Sequence, residues 1–219
     1  MSHAAQSTVR AAVPADVVGV ADLHATAIDE GFLASLGPRF LRRLYRRVLA
    51  SRHGFLLVAE EAPGGRGPGP ALGFVAGGLD VRRLYRQFLV HDGIPAALGS
   101  APQLIRSVPR ALETLRYGVG AGHRADPAGH DPSAEAELLA VAVADGHRRR
   151  GVGAALVEAF VARATDAGSA SARVVVGSAN AQAIALYRAA GFEPDHTLEL
   201  HEGATSVVLR TALAPGPRP

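Results

Sequence analysis

The sequence predicts an α/β fold built on a mixed sheet, and three observations predict it. Apolar strand-like runs alternate with helical repeats through the C-terminal third. Shorter runs separated by Gly/Pro turns add antiparallel pieces at both ends. Hydrophobic residues are 48% and charged residues 20% of 219, a globular composition at a length that suits one domain. Strands alternating with helices bury their apolar faces most simply as helices packed on a sheet.

Val9 to Val13 reads as a short first strand, and Pro14-Ala15-Asp16 as a helix start. Val17, Val20, Ala21, His24 and Ile28 then recur at helical spacing until Gly31 interrupts. A second helix places Phe40, Leu41, Leu44, Tyr45, Val48 and Leu49 on one face and Arg42, Arg43, Arg46 and Arg47 on the other. That basic face reads as the wet side of a packed helix rather than a membrane-binding surface. Phe55 to Glu60 and Ala71 to Gly78 form an antiparallel hairpin around the Gly/Pro turn Ala62 to Pro70. Val81, Leu84, Tyr85, Phe88 and Leu89 predict a helix. Leu104, Ile105, Val108, Leu112 and Leu115 predict another, bent by Pro109, before a polar loop from Gly118 to Ser133.

The remainder is the most legible. Glu137 to Val143 is a strand, Asp145 to Arg150 a polar turn, and Gly151 to Ala164 a helix with Val152, Leu156 and Phe160 on one face. Gly168 stops that helix. Arg173 to Val176 is a strand, Asn180 to Ala190 a helix closed by Gly191, and Leu198 to Leu200 with Ser206 to Leu213 a final hairpin. One domain over residues 1–213 and a disordered tail over 214–219 are expected.

Composition excludes several chemistries. Cysteine is absent, so disulfides, thiolate metal sites and cysteine nucleophiles are out. No lysine occurs, and the net charge is only +3. Arginine forks suit anionic ligands. An excess this small, without a basic stripe interleaved with aromatics, argues against nucleic acid. The nine histidines show no ligand spacing, so no metal is expected. No run spans a bilayer, and Arg10 and Asp16 interrupt any signal-like start, so a cytoplasmic protein without membrane attachment is expected.

The chemistry concentrates where the Glu137 to Val143 strand enters the Arg148-Arg149-Arg150-Gly151-Val152-Gly153-Ala154 turn. A helix N-terminus leaves N–H groups unpaired and carries partial positive charge. Glycines there let an anion approach the backbone, making a phosphate cradle. No Gly-Lys-Ser/Thr follows, and the third glycine of a dinucleotide fingerprint is missing. Taken alone, the segment is equally a glycine-rich helix start with surface arginines.

Two motifs in order narrow the choice. The Arg148 to Ala154 turn resembles the pyrophosphate loop of the GNAT (GCN5-related N-acetyltransferase) superfamily, Q/R-x-x-G-x-G/A. The segment containing Asn180, Tyr187, Gly191 and Phe192 resembles that family's N-x-x-A-x-x-L-Y-x-x-x-G-F motif. The resemblance implies a GNAT fold whose fourth and fifth strands splay apart, with extra helices between the third and fourth strands. It implies acetyl-CoA as co-substrate, held by Arg148, Arg149, Arg150, Gly151, Val152, Gly153 and Ala154 at its diphosphate. Its pantetheine arm would lie along the backbone of Val141, Ala142 and Val143 and meet Asn180. An N–H of that strand would also stabilise the developing oxyanion.

The resemblance further implies transfer of the acetyl group to a primary amine, with Tyr187 as general acid at the departing thiolate. Without it, Tyr187 reads as a core residue packing beside Ile184. Glu135 and Glu137 lie two apart on a strand and share a face. Both match positions of the family's catalytic glutamate, Glu137 first; burial there would raise a carboxyl toward the range of a general base. Surface carboxylates, or water as base, are the alternatives. Asp29 and Glu30 would attract a cationic amine, and Phe32 would wall the acceptor site. The acceptor is a small-molecule amine or a peptide N-terminus. The extra helices in 81–133 would cover the acceptor side or form a homodimer contact. A non-catalytic acyl-CoA-binding module and a transferase of longer acyl groups are the competing functions.

Overall fold

The structure, a computed structural model, describes residues 7–28, 37–61, 69–99, 134–201 and 204–214. Among these the elements run β1 (Ser7–Ala11), α1 (Asp16–Ala27), α2 (Gly37–Ala50), β2 (Gly54–Glu61), β3 (Gly73–Gly78), α3 (Val81–Gly99) and β4 (Glu135–Val143). A 3-10 turn (Asp145–His147) leads to α4 (Val152–Asp166), β5 (Ser171–Gly177), α5 (Ala181–Ala189), β6 (Glu193–His201) and β7 (Ala204–Ala212). The strands form one seven-stranded sheet in the order β1-β2-β3-β4-β5-β7-β6. Only β4 and β5 are parallel; every other pair is antiparallel. The expected mixed α/β fold is therefore the observed one.

Local chemistry sets the element ends. Asp16 accepts from the Val13 N–H at 2.7 Å and holds Arg10, which also reaches Glu60 at 2.9 Å. These bonds fasten the start of α1 to β1 and β2. Asn180 caps α5, its Oδ1 accepting from the Ala183 N–H at 3.0 Å. Gly168 and Gly191 follow α4 and α5 with positive φ. The helix expected from Val81 to Leu89 runs on to Gly99. The second expected helix, from Leu104, lies outside the described residues, as do the hairpin tip over 62–68 and the tail from residue 215.

Two apolar layers cover the sheet. On one face α4 and α5 pack against it through Val152, Leu156, Phe160, Tyr187 and Phe192. On the other, α1 and α2 contribute Val17, Val20, Leu41 and Tyr45 against Leu56, Val58 and Phe74. α3 packs beside α2, with the Phe40 and Phe88 rings edge to face at 5.4 Å.

Two irregularities shape the centre. Leu139 is an extra residue of β4, between Leu138 opposite Gly77 and Ala140 opposite Ala76. A bulge of this kind reverses which face each later side chain occupies. Ala136 and Leu138 face α4 before it, and Val141 and Val143 face α4 after it. Leu139, Ala140 and Ala142 pack on the α1/α2 side. The second irregularity is the splay: β4 and β5 pair from Glu135–Ser171 to Leu138–Val174 and not beyond. β5 meanwhile stays paired with β7 from Ser171 to Gly177.

Candidate active site

The gap between β4 and β5 opens directly beside the start of α4. The Ala144 N–H donates to the Leu72 carbonyl, directly opposite, at 2.8 Å. In an antiparallel ladder the peptide groups alternate between facing the partner and facing away. Ala142 therefore spends its N–H and C=O on β3, while Val141 and Val143 turn theirs into the gap. Of the three backbone positions expected to bind the pantetheine arm, the structure turns Val141 and Val143 toward the gap and Ala142 away from it. The Val143 carbonyl there accepts from Arg148 Nε at 3.2 Å.

At the diphosphate end, Gly151 caps α4 at φ 83°, with no side chain capping the helix and no acidic residue in its first turn. The first bond inside the helix runs from the Ala155 N–H to the Gly151 carbonyl at 3.0 Å. The N–H groups of Val152, Gly153 and Ala154 are left without an intrahelical acceptor. Arg149 also lies in the left-handed region, at φ 60°. Alternating left-handed residues turn successive N–H groups to one side, the shape of an anion nest. A Cβ on Gly151 would meet nothing within 4 Å, so the positive φ, not crowding, favours glycine. Arg148, Arg149 and Arg150 are all exposed around this corner. Arg148 is also held by Asp145 at 3.1 Å. His147 is half-buried, and its Nδ1 is buried without a hydrogen-bond partner.

Tyr187 sits on α5 among the apolar side chains under the sheet, 5% exposed, with Ile184 packed against the same cluster. Its ring lies 6.1 Å from that of Phe192. Burial pushes its phenol up, so it keeps its proton across the physiological range. Asn180 is exposed at the same end of α5; its Oδ1 is used by the cap, which leaves its amide N–H groups facing outward.

Glu135 and Glu137 share the face opposite α4, as their spacing predicts, but neither is a surface carboxylate or an isolated one. Arg173 of β5 donates to one Glu137 oxygen through Nη2 at 2.6 Å and Nε at 3.0 Å. Glu135 accepts from Arg210 Nε at 2.7 Å and from Ser171 at 3.3 Å, with Arg173 a further 3.5 Å away. Arg210 continues to Asp195 at 2.7 Å. The Arg173 and Glu135 side chains are 4% and 6% exposed. This ladder crosses β4, β5, β7 and β6 at the closed end of the splay. Sequence reasoning missed Arg173 and Arg210. The available signal was a lone arginine inside the apolar run SARVVVG, since a buried guanidinium requires carboxylate partners.

Glu30 and Phe32, expected at the acceptor side, lie outside the described residues, as does Asp29. A cleft does open on the α1/α2 face, between α2 and α3, with Leu139 and Ala140 of the bulge among its lining residues. Among the described residues no three His, Asp or Glu side chains gather as a metal site, and no helix is long and apolar enough to cross a membrane.

Residues 117–192 match the model of the Acetyltransferase (GNAT) family. No curated protein sequence matches the chain. Among solved structures, the GCN5-related N-acetyltransferase from Kribbella flavida superposes with a TM-score of 0.61 at 17% identity, covering 94% of this chain and 98% of that one. An N-acetyltransferase from Staphylococcus aureus gives 0.61 at 15% identity over 95% and 99%. NAA60 of Arabidopsis thaliana, in complex with acetyl-CoA, gives 0.59 at 15% identity over 94% and 98%. Such identities establish the fold. The chain thus has the GNAT fold, and the resemblance drawn from its two motifs holds over residues 117–192, where it matches the GNAT acetyltransferase family.

Proposed function

We propose that the protein is an N-acetyltransferase that uses acetyl-CoA as co-substrate and a primary amine as acceptor. One observation carries this reading: the parallel strands part beyond Leu138–Val174 immediately beside an uncapped helix start with left-handed residues at Arg149 and Gly151. A slot lined by peptide groups that β5 does not pair, and ending at helix N–H donors without an intrahelical acceptor, fits a long diphosphate-bearing molecule. The complex of Arabidopsis NAA60 with acetyl-CoA, of the same fold, supports the choice of that molecule.

Acetyl-CoA supplies an activated thioester. In this reading the N–H groups of Val152, Gly153 and Ala154, with Arg148, Arg149 and Arg150, hold the diphosphate. Val141 and Val143 bind the arm as an added strand would, joined by the Asn180 amide. The Val141 N–H steadies the charge that develops on the acyl oxygen as the amine attacks. Tyr187, protonated because it is buried, gives its proton to the departing thiolate. Glu137 and Glu135 are occupied by Arg173 and Arg210, so the amine's proton leaves to water and the two glutamates hold β4 to β5.

The occupied glutamates also favour a second reading, an acyl-CoA-binding module without turnover. Calorimetry with CoA and thiol release over an amine panel separate the two. Micromolar CoA binding with turnover supports the enzyme, and binding without turnover on any amine supports the module. No CoA binding ends both.

A further inference from the structure

One arginine at the start of α4 is already engaged inside the slot. The Val143 peptide turns into the gap between β4 and β5, and its carbonyl accepts from Arg148 Nε at 3.2 Å. Nη2 of the same guanidinium meets Asp145 Oδ1 at 3.1 Å. The backbone beneath is held by the 3-10 turn, where the Arg148 N–H donates to the Asp145 carbonyl at 3.4 Å. The guanidinium therefore bridges the last residue of β4 and the turn that follows it, at the end of the slot nearest α4.

An arm that adds to β4 as a strand would gives its own N–H to the Val143 carbonyl. Arg148 stands on that carbonyl, so the arm has to displace it. A phosphate is the better partner for the displaced guanidinium, because a hydrogen bond between two charged groups is stronger than one to a neutral carbonyl. The N–H groups of Val152, Gly153 and Ala154, four to six residues further along the chain, would hold that phosphate from the other side. The contact that keeps Arg148 in place is weak, since the Asp145 side chain is 88% exposed and the Arg148 side chain 42%. A ligand with both an arm and a diphosphate draws Arg148 off Val143 as it enters. A ligand with the arm alone breaks the same contacts and offers nothing in return.

We propose that Arg148 is a donor-selecting latch. Closed on Val143 and Asp145, it opposes entry of a bare pantetheine arm; it opens when a diphosphate takes the guanidinium. The protein thus favours thioesters of the whole diphosphate-bearing coenzyme over thioesters of the arm alone, by more than the diphosphate's own contacts add. This rests on the acetyl-CoA reading above and deepens it. Linkage then requires that a diphosphate and an arm, offered as separate molecules, strengthen each other's binding.

The test is calorimetry on the full chain with CoA, S-acetylpantetheine and inorganic pyrophosphate. Asp145→Asn and Arg148→Met change exposed side chains, and thermal melts check that both variants fold. Each variant should bind S-acetylpantetheine about three- to tenfold more tightly than wild type, the scale of one exposed ion pair and one hydrogen bond. Because this probe is uncharged, loss of the Asp145 charge does not by itself explain such a gain. Saturating pyrophosphate should tighten S-acetylpantetheine by about the same factor in wild type and not in Arg148→Met. Arg150→Met removes a charge from the same corner and leaves the latch in place, so it should weaken CoA and not S-acetylpantetheine. CoA binding by wild type, with S-acetylpantetheine affinities within twofold in every variant or with no effect of pyrophosphate, overturns the latch and leaves the acetyl-CoA reading standing. Absence of CoA binding overturns both.

Discussion

Replacing Glu137 separates a catalytic base from a structural anchor, because the two roles predict opposite patterns. Glu137 accepts two arginine N–H groups on one oxygen, at 2.6 and 3.0 Å, at the last part of the sheet where β4 and β5 still touch. In Glu137→Gln the amide oxygen still accepts both, and what is lost is the charge assistance, about 1–2 kcal/mol. At about 2–4 °C per kcal/mol for a chain of this size, the melting temperature falls roughly 2–8 °C. In Arg173→Met the Glu137 carboxylate is left without that partner, while Glu135 keeps Arg210. Breaking a buried pair from one side costs about 3–5 kcal/mol, or roughly 6–20 °C. Glu137→Gln placed on top of Arg173→Met should recover part of that loss, since the uncompensated charge is gone. The assays are thermal melts and initial rates with any amine that turns over. The anchor reading expects Glu137→Gln to keep kcat within about threefold. A fall of about 100-fold or more, the scale of a lost general base, at a melting temperature close to wild type would refute it.

Three further outcomes follow from the geometry. Tyr187→Phe should lower kcat by about 100-fold and leave CoA affinity within twofold, read by thiol release and calorimetry. Its raised phenol also predicts no loss of kcat up to roughly pH 10. Gly151→Ala forces an L side chain to φ 83°, at a cost of about 1–2 kcal/mol, and should weaken CoA binding about five- to tenfold. Gly146→Ala, which meets nothing and has no positive φ, should change neither. His24 is buried against Tyr45 and Phe74, and burial lowers its imidazole to about 4. A depressed imidazole contributes stability that is complete above its unfolded value near 6.5 and is lost as pH falls toward 4, about 2–3 kcal/mol in all. Denaturant melts should show that loss between pH 7 and 4.5, and His24→Gln should flatten it.

What the sequence made legible was what depends on neighbours along the chain. Val152, Leu156 and Phe160 recur at helical spacing and do lie buried along one face of α4. Asn180 and Gly191 mark the ends of α5 because cap chemistry is local. The uncapped start of α4 was legible for the same reason: its glycines and arginines are consecutive. Asp29, Glu30 and Phe32 were read by analogy with a loop, and their place lies outside the described residues.

What could not be read depends on partners far away in sequence or on a slip in register. The run from Leu138 to Val143 is apolar throughout, and nothing in it marks Leu139 as extra. Simple alternation would put Glu137 and Val141 on one face, and from there Glu137 looks like a base pointing at the acyl group. The bulge separates them: Val141 packs toward α4, and Glu137 lies on the other face beside Tyr85. The arginine that occupies Glu137 comes from a strand 36 residues later. The bulge therefore takes up the one residue that separates the faces of Glu137, on the ion-pair ladder, and Val141, at the gap, from what counting along the strand suggests, and it sets Leu139 and Ala140 side by side in the cleft between α2 and α3. Deleting Leu139 leaves Leu138 opposite Gly77 and Ala140 opposite Ala76 as consecutive pairs, so Val141 and Val143 keep facing α4 and CoA affinity should persist while the bulge is lost. Replacing it by Ala should shorten one cleft wall and leave the register, and with it CoA affinity, unchanged. Equal loss of CoA binding in both variants would show that the side chain of Leu139, and not the register of Val141 and Val143, is what the slot requires.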